Sequence, residues 1–453
     1  MDENTQTHEE HLRSLFLETA LTRLFIIAAA PGAVSMLASA VFDLVDGIIV
    51  GRFLGPTSFA AINIAMPFVI LVFAVGDLMG VGSSVPIAIA LGAGKKEEAN
   101  NIFTCTVLGI FLLGALLGAG FWVFAPAIMT AMGATGTLAD QGVTFLRVYA
   151  LAAPLSSMMF AVDNFLRNCG RIRESLLLNL LMATLGGVLE FILVGHVKLG
   201  VAGAALGYSF AMSACALIGL APFALGRYQL RFVRPRPTAA LTREVFTAGM
   251  PTFLNNVAGR ATMVLLEHAL LRLGGADAVA VYGVLIYSAC LVFPLIMGTC
   301  DALQPAIGYN LGAGHTDRVV KLEKRVLAAC AAASISFVPL TTIFSKEITL
   351  LFMPDASQNL IEMALRAFPL YSAAYLIRWI PLCTQAFFTA LKRPKPASTL
   401  SLFNVLIAPV ICLVALLPLG LDGVWLNTVA STFASSILAI VMLLRLRSEL
   451  RAS

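Results

Sequence analysis

The stretch LFIIAAAPGAVSMLASAVFDLVDGIIV, residues 24–50, is longer than one membrane crossing requires and is apolar almost throughout. A transmembrane helix needs about 20 mostly apolar residues, so this stretch predicts a membrane span. Near its end it carries Asp43 and Asp46, which share one face of the predicted helix. A carboxylate at the centre of a bilayer costs about 2.5–3.5 kcal/mol, so these two acids need a reason to be there.

The composition of the whole chain agrees with a membrane protein. Of the 453 residues, 59% are hydrophobic and only 12% are charged. A soluble globular protein carries about 25% charged residues, so that class is excluded. The first residues, MDENTQTHEEHLRSLF, are acidic and polar, and they do not predict a cleaved signal peptide.

Twelve spans of sufficient length predict an all-α polytopic membrane protein. They are 24–50, 58–90, 102–125, 142–165, 174–195, 200–223, 245–271, 278–308, 326–345, 362–388, 398–418 and 423–444. The second and eighth are longer than one crossing needs and have Gly-rich or Pro-containing ends. We therefore expect kinked helices that extend out of the bilayer there.

Basic residues alternate between the two sets of loops. One set, which includes both termini and the 224–244 segment, holds 22 of the 30 Lys and Arg residues. The positive-inside rule predicts that this side is cytoplasmic, in a plasma membrane and most simply a bacterial inner membrane. The basic patches are short and divided among loops, so a nucleic-acid partner is not expected.

The two halves of the chain repeat each other at a shift of 220 residues. Pro31 aligns with Pro251, and the LGAG run at 91–94 aligns with that at 311–314. Six spans per half is an even number, so the repeats are parallel and related by an axis along the membrane normal. We expect two pseudo-symmetric six-helix bundles around a central cleft, working by alternating access with hinges at the two prolines. The predicted divisions are a cytoplasmic tail 1–23, an N-lobe 24–223, a cytoplasmic linker 224–244, a C-lobe 245–444 and a tail 445–453.

Several segments resemble the MATE (multidrug and toxic compound extrusion) family of cation-coupled efflux transporters. LVDGIIVGRFLG (44–55) resembles the end of that family's first helix, and GVGSSVPIAIALGAGKKEEA (80–99) its second-to-third helix junction. NFLRNCGRIRES (164–175) resembles the family's fourth loop, and GGVLEFILVGHVKLGVAGAALG (186–207) its NxxLD…GxxGAA region. QPAIGYNLGAG (304–314), close to the QPxxGYNxGA run of the second half, is the most specific match. The matches are spread over nearly the whole chain.

The resemblance implies roles for acids of the first half. Asp46 matches the family's first-helix aspartate, which implies cation coupling, and Glu190 stands where the family has Asp. Asp43 is a further candidate. The alternative for both aspartates is a hydrated acid near the outer mouth, and for Glu190 an acid hydrogen-bonded within the bundle. The family's Asn four residues earlier is Gly186 here, and its Thr in the sixth helix is Tyr208. Sodium needs several oxygen ligands, whereas burial alone favours a protonated carboxyl. The sequence therefore favours H+ as the coupling ion, with Na+ left open.

The second half departs from the family pattern. Arg260 and Arg378 stand near positions where some branches have acids, and Glu267 where many relatives have Asn. Arg260 and Glu267 lie seven residues apart on one face, so a structural ion pair is the first interpretation and a substrate or coupling role the second. Asp301 would face the cleft if the family register holds.

Other polar residues in the predicted spans are weaker candidates for a functional role. Asp77 is a minor functional candidate, and Asp163 is expected to pair with Arg147. A Tyr hydroxyl in lipid needs a partner, so tyrosines are candidates for the substrate cleft. These are Tyr149, Tyr282 and Tyr309. The eight Cys residues lie singly along the chain without metal-ligand spacing, which predicts buried apolar packing, no metal site and no cofactor.

These features favour an antiporter that exports organic, often cationic, drugs or metabolites in exchange for a cation. The alternative is a flippase for a lipid-linked or other amphipathic substrate, but a diphosphate substrate calls for several basic residues in the cleft, and few are deep in the spans. An intramembrane enzyme is not expected, because GxSxG, HExxH and nucleotide-binding loops are absent from the sequence. The expected partners are a small-molecule substrate and the lipid bilayer, and no nucleotide is expected. The protein is expected to be a monomer.

Overall fold

The computed structural model describes residues 13–290, 292–353 and 356–452. Side chains at 43, 44, 47, 48, 51, 55, 56, 59, 276 and 447–452 lie outside this description, and Asp43 is therefore not discussed further as a side chain. The described backbone is helical nearly throughout and contains no strand. The predicted all-α polytopic membrane fold is confirmed.

Fifteen α-helical segments follow one another along the described chain, and the segment Ala239–Ala289 is two helices joined at Gly275, where the backbone is not helical (φ/ψ 67°/−160°). They are α1 (Leu21–Gly92), α2 (Lys96–Ala131), α3 (Gly136–Ser156), α4 (Met158–Asn168), α5 (Ile172–Glu190), α6 (Val201–Ala224), α7 (Ala239–Ala289), α8 (Phe293–Gly312), α9 (Thr316–Ile343), α10 (Ser345–Phe352), α11 (Gln358–Ser372), α12 (Trp379–Ala390), α13 (Pro394–Leu402), α14 (Ala408–Leu416) and α15 (Leu421–Ala452). Short π-helices lie at Ser14–Glu18, Phe191–His196 and Phe403–Ile407, and 3-10 turns at Ala373–Leu376 and Leu417–Leu419.

Ten helices of the described chain are long and apolar enough to cross a membrane, and a bent pair makes eleven. The bent pair, Asp277–Ala289 with Phe293–Gly312, turns by 42° and corresponds to the eighth predicted span, where a kink was expected. The seventh predicted span, 245–271, is helical within α7 but is not among the apolar helices. Its Asn255, Asn256, Arg260 and Glu267 lower the hydropathy.

The backbone repeats in the register that the sequence predicts. Helices begin at Lys96 and again 220 residues later at Thr316, and likewise at Val201 and Leu421. The residue before the second of these starts is glycine in both halves, with φ/ψ of 62°/−141° at Gly200 and 63°/−138° at Gly420. This part of conformational space is open essentially to glycine alone, so the repeated glycine is required by the turn.

The chain forms two compact units. The first contains the described residues up to Gly249 together with Pro305–Thr316, and the second contains Met250–Gln304 and Asp317 onward. The change from one unit to the other thus occurs next to Pro251, inside α7. The assignment of Pro31 and Pro251 as hinges, and the lobe boundaries, stay predictions.

The segment between α6 and α7 is extended and is fastened to α2 within the first unit. The backbone N–H groups of Arg231 and Arg236 donate to the side-chain oxygens of Asn100 (2.9 Å) and Asn101 (2.8 Å). The N–H of Val233 donates to Thr104 Oγ1 at 3.1 Å. Three side chains on one face of α2 therefore satisfy the backbone of a stretch that has no secondary structure of its own.

Candidate functional site: a carboxyl pair beside stacked aromatic rings

Glu190 is the last residue of α5 and its side chain is completely buried. Within the described part of the chain, neither of its carboxyl oxygens has a hydrogen-bond partner. Burying an ionised carboxylate without partners is strongly unfavourable, so such a group is either neutral or balanced by a nearby ion. The position can therefore exchange a charge for a proton.

The carboxyl group of Asp46, in α1, lies beside that of Glu190, and the two interact electrostatically. Asp46 is only partly buried. Two carboxyl groups in contact do not both ionise readily, because like charges repel strongly where water is scarce. The two acids that the family resemblance singled out thus form a pair, which titrates as a unit rather than as two independent groups.

A glycine of α6 allows α5 and α6 to meet at Glu190. A Cβ atom placed on Gly207 would lie 2.7 Å from the backbone nitrogen of Glu190 and 2.8 Å from its Cα. Any larger residue would push the two helices apart at this point. The burial of Glu190 therefore depends on Gly207 as much as on the residues of its own helix.

Aromatic rings occupy the space one turn before Glu190. Phe42 and Tyr208 stack with ring centroids 4.6 Å apart and planes 14° from parallel. A Cβ on Gly186 would lie 3.1 Å from the Phe42 ring and 3.3 Å from the Tyr208 ring. The family's Asn side chain could not fit here without moving a ring, so the departure at Gly186 is matched by the aromatic residues around it.

The stacked pair continues into a series of aromatic contacts through the first unit. The ring of Phe73 lies 6.3 Å from that of Tyr208 and 6.2 Å from that of Tyr149. Phe73 and Tyr149 also line a small cavity together with Val69, Val72 and Phe121. An apolar aromatic surface thus extends from the carboxyl pair to a cavity inside this unit.

The residues singled out in the second half belong to the second unit. Glu267 is half-buried in α7, whereas Arg260 is exposed. No salt bridge within 4.0 Å joins them in the described chain, so the predicted structural ion pair is wrong. Asp301 instead accepts a hydrogen bond from Gln304 Nε2 at 2.8 Å.

Arg378 lies in a cluster of tyrosines within the second unit. Its guanidinium carbon is 5.3 Å from the ring centre of Tyr375 and 5.8 Å from that of Phe293. Tyr282 and Tyr371 are also close enough to interact with its charge. The sequence identified Tyr282 and Arg378 separately but not their meeting, because they belong to α7 and to the turn before α12.

Tyr309 packs against the N-terminal π-helix. The rings of Tyr309 and Phe16 are 5.2 Å apart, and the neighbouring Asn310 donates to the Phe16 carbonyl at 3.0 Å. Phe16 is almost fully buried. Tyr309 therefore holds a segment of the first unit in place, and a role in substrate binding stays a prediction.

The predicted pair of Asp163 with Arg147 is wrong. Asp163 pairs with Arg167, four residues later, at 2.7 Å, and it accepts hydrogen bonds from Ser175 (2.5 Å) and Asn179 (2.7 Å). Arg147 donates to the Trp122 carbonyl oxygen and lies over the indole ring. The i,i+4 spacing of Asp163 and Arg167 was visible in the sequence and favours pairing on one helix face.

The structure also gathers three cysteines that the sequence separates. Cys300, Cys330 and Cys383 come from α8, α9 and α12, and their sulfur atoms lie within 4.8 Å of one another. The sequence spacing did not indicate this group, because Cys330 and Cys383 lie 30 and 83 residues after Cys300.

Comparison with known proteins identifies the family. A family model described as MatE matches residues 31–192 and 251–414, one match in each half of the repeat. The chain belongs to the MATE family. It is 26% identical over 422 residues to the multidrug export protein MepA of Staphylococcus aureus, covering 92% of each chain. It is 24% identical over 441 residues to MepA of Staphylococcus haemolyticus, covering 96% of each.

Solved structures of MATE family transporters share its fold. An outward-facing multidrug resistance MATE transporter of the MOP superfamily matches with a TM-score of 0.91 at 20% identity over the whole of both chains. A MOP superfamily transporter from Pyrococcus furiosus, described as having a binding pocket of reversed polarity that suggests a different function, matches with a TM-score of 0.88 at 22% identity, covering 100% of this chain and 99% of that one. The predicted family and membrane-transporter class are confirmed.

Proposed function

We propose that this MATE family protein is a proton-coupled antiporter that exports organic, often cationic, compounds by alternating access. The observation that carries the proposal is the carboxyl group of Glu190, which is fully buried and lies beside that of a second acid, Asp46. The MepA relatives are named as multidrug export proteins, which supports an organic substrate.

Coupling follows from competition for the same negative charge. A proton neutralises the Asp46–Glu190 pair, and an organic cation near the pair would instead favour its ionised form. A site that binds either ion, but not both well, links the two binding free energies reciprocally. The entry of protons down their gradient then drives the export of the organic cation.

The aromatic surface beside the pair suits a flat, lipophilic cation. The faces of Phe and Tyr rings attract cations and offer apolar contact at the same time. Phe42, Phe73 and Tyr208 form such a surface next to Asp46 and Glu190. The same rings leave little room for the several oxygen ligands that a sodium ion requires near Gly186, which favours H+ over Na+.

The proposal includes the setting of the transporter. It would act as a monomer in the bacterial inner membrane with both termini in the cytoplasm, as the distribution of Lys and Arg predicts. No nucleotide is needed, since the driving force is the ion gradient.

The test uses protein reconstituted into liposomes that hold a pH-sensitive dye, with ethidium added outside in sodium-free buffer. Antiport carries ethidium inward and protons outward, so the lumen becomes alkaline. Wild type, Asp46→Asn, Glu190→Gln and the control Asp140→Asn are compared. Asp140 is an exposed acid at the start of α3. We expect wild type and the control to transport, and both pair variants to lose proton movement.

Other outcomes oppose specific parts of the proposal. Transport that requires sodium would refute proton coupling and would move the ion site away from Gly186. Proton movement that persists in both pair variants would remove the Asp46–Glu190 pair from the mechanism. If folded wild type moves no cationic dye under any gradient, the efflux function is wrong, and a lipid-linked or metabolite substrate is tested next.

A further inference from the structure

Three buried thiols meet inside the second unit. Cys300 Sγ lies 3.4 Å from Cys383 Sγ and 3.9 Å from Cys330 Sγ, and all three sulfur atoms are within 4.8 Å of one another. Their side chains are 3%, 1% and 3% exposed for Cys300, Cys330 and Cys383. The shortest of these separations is far longer than the 2.03–2.05 Å of a disulfide bond, so the sulfur atoms are free to act as ligands.

The triangle has the size of a three-coordinate metal site. With metal–sulfur distances of about 2.3 Å, three sulfur atoms arranged trigonally around one ion are about 4.0 Å apart. The two separations of 3.4 and 3.9 Å are close to this value.

The ligand set selects the kind of ion. Thiolate ligands favour soft ions such as Cu(I) and Zn(II). Structural zinc sites are almost always four-coordinate, and among the described residues this group contains no fourth His, Cys, Asp or Glu ligand. Cu(I) accepts two or three sulfur ligands, so a group of three cysteines suits it without a fourth ligand.

We propose that Cys300, Cys330 and Cys383 form a binding site for one Cu(I) ion between α8, α9 and α12. Each thiol that binds releases its proton to the solvent, so affinity falls as the pH is lowered. The bound ion ties together three helices whose ligands are distant in sequence. It therefore stabilises the second unit, whatever substrate the protein exports.

The first experiment is a competition for Cu(I) in detergent solution without oxygen. Bathocuproine disulfonate reports by its colour how much Cu(I) the protein withdraws. Wild type is compared with single Cys→Ala variants at the three positions, with the triple variant, and with Cys215→Ala. Cys215 is a matched control because it is fully buried in α6 and lies outside the cluster.

We expect wild type and Cys215→Ala to withdraw one Cu(I) per chain with equal affinity. Each single variant should bind at least about tenfold more weakly, since even the loss of a group that only orients a ligand costs about 10–100-fold in affinity. The triple variant should withdraw none. Withdrawal by the triple variant equal to that of wild type, or none by folded wild type, would overturn the proposal.

A second measurement protects the result against misfolding and oxidation. Added Cu(I) should raise the thermal unfolding temperature of wild type and Cys215→Ala but not that of the triple variant, because only a native-state ligand stabilises the fold. Thiol counting in denaturant should find all eight cysteines free, as the structure has them. A disulfide between Cys300 and Cys383 in protein purified without oxidant would refute the site.

Discussion

The buried ion pair of Asp163 with Arg167 predicts an unequal cost for removing its two members. Arg167 is 4% exposed, and besides Asp163 it has only the Ser175 hydroxyl, 3.1 Å from its Nε, as a described side-chain partner. Asp163→Ala therefore leaves a buried guanidinium charge almost uncompensated. Breaking a buried pair in this way costs about 3–5 kcal/mol of unfolding free energy.

Removing the base should cost less. Arg167→Met keeps the unbranched stem of the side chain but removes its guanidinium group and charge, and Asp163 retains hydrogen bonds from Ser175 and Asn179. We expect a loss of about 1–3 kcal/mol, the cost of one buried polar partner. The double variant should be less destabilised than the sum of the two single variants, because the second change removes the charge that the first left unpaired.

The assay is unfolding in mixed micelles with increasing SDS, followed by circular dichroism, with a second ion pair as the control. Arg366 pairs with Asp422, but their side chains are 71% and 34% exposed. Asp422→Ala should therefore cost no more than about 1 kcal/mol. If Asp163→Ala costs no more than Asp422→Ala, or less than Arg167→Met, burial does not set the strength of this pair and the reasoning is wrong.

Two further predictions concern packing, and a third concerns the ionisation of a tyrosine outside the membrane spans. Gly207→Ala should destabilise the protein by about 1–3 kcal/mol through overpacking against Glu190 and should reduce proton-coupled transport; unchanged transport would contradict the close approach. Burial, and then the hydrogen bond to Glu174, raise the pKa of Tyr228 in the segment after α6. The folded state thus favours the neutral phenol, and wild type should lose stability above about pH 10 more steeply than Tyr228→Phe does in pH-dependent unfolding; parallel curves would contradict this. Phe16→Ala should lower thermal stability by about 3–5 kcal/mol at the unfolding midpoint, measured by calorimetry; no change would mean that the π-helix does not dock.

The spans and the repeat could be predicted because they depend on local properties. Apolar length decides which segments cross a membrane, and Gly200 and Gly420 are required by their backbone conformation. The seventh span was also predicted. Its polar residues lower its hydropathy, so its position in the repeat predicts this span better than hydropathy does. Asp46 and Glu190 were identified through the family resemblance, and the structure brings them together.

The remaining contacts depend on tertiary packing. The ring stack over Gly186 needs Phe42 from α1 beside Tyr208 from α6, and no periodicity in either helix indicates this. The same holds for the three cysteines. Arg147 and Asp163 share one predicted span, which suggested a pair. Arg167 lies one helical turn from Asp163 and forms the ion pair instead.

The connector between α6 and α7, which is hydrogen-bonded to α2, has a consequence for the assembly of a protein built from two similar halves. Two halves with the same architecture can exchange between neighbouring chains during synthesis, a common failure of repeat proteins. Hydrogen bonds from Arg231, Val233 and Arg236 to α2 hold the connector to the first half of its own chain. Only a few residues separate that attachment from the start of α7 at Ala239, so the second half begins within short reach of the first half of the same chain.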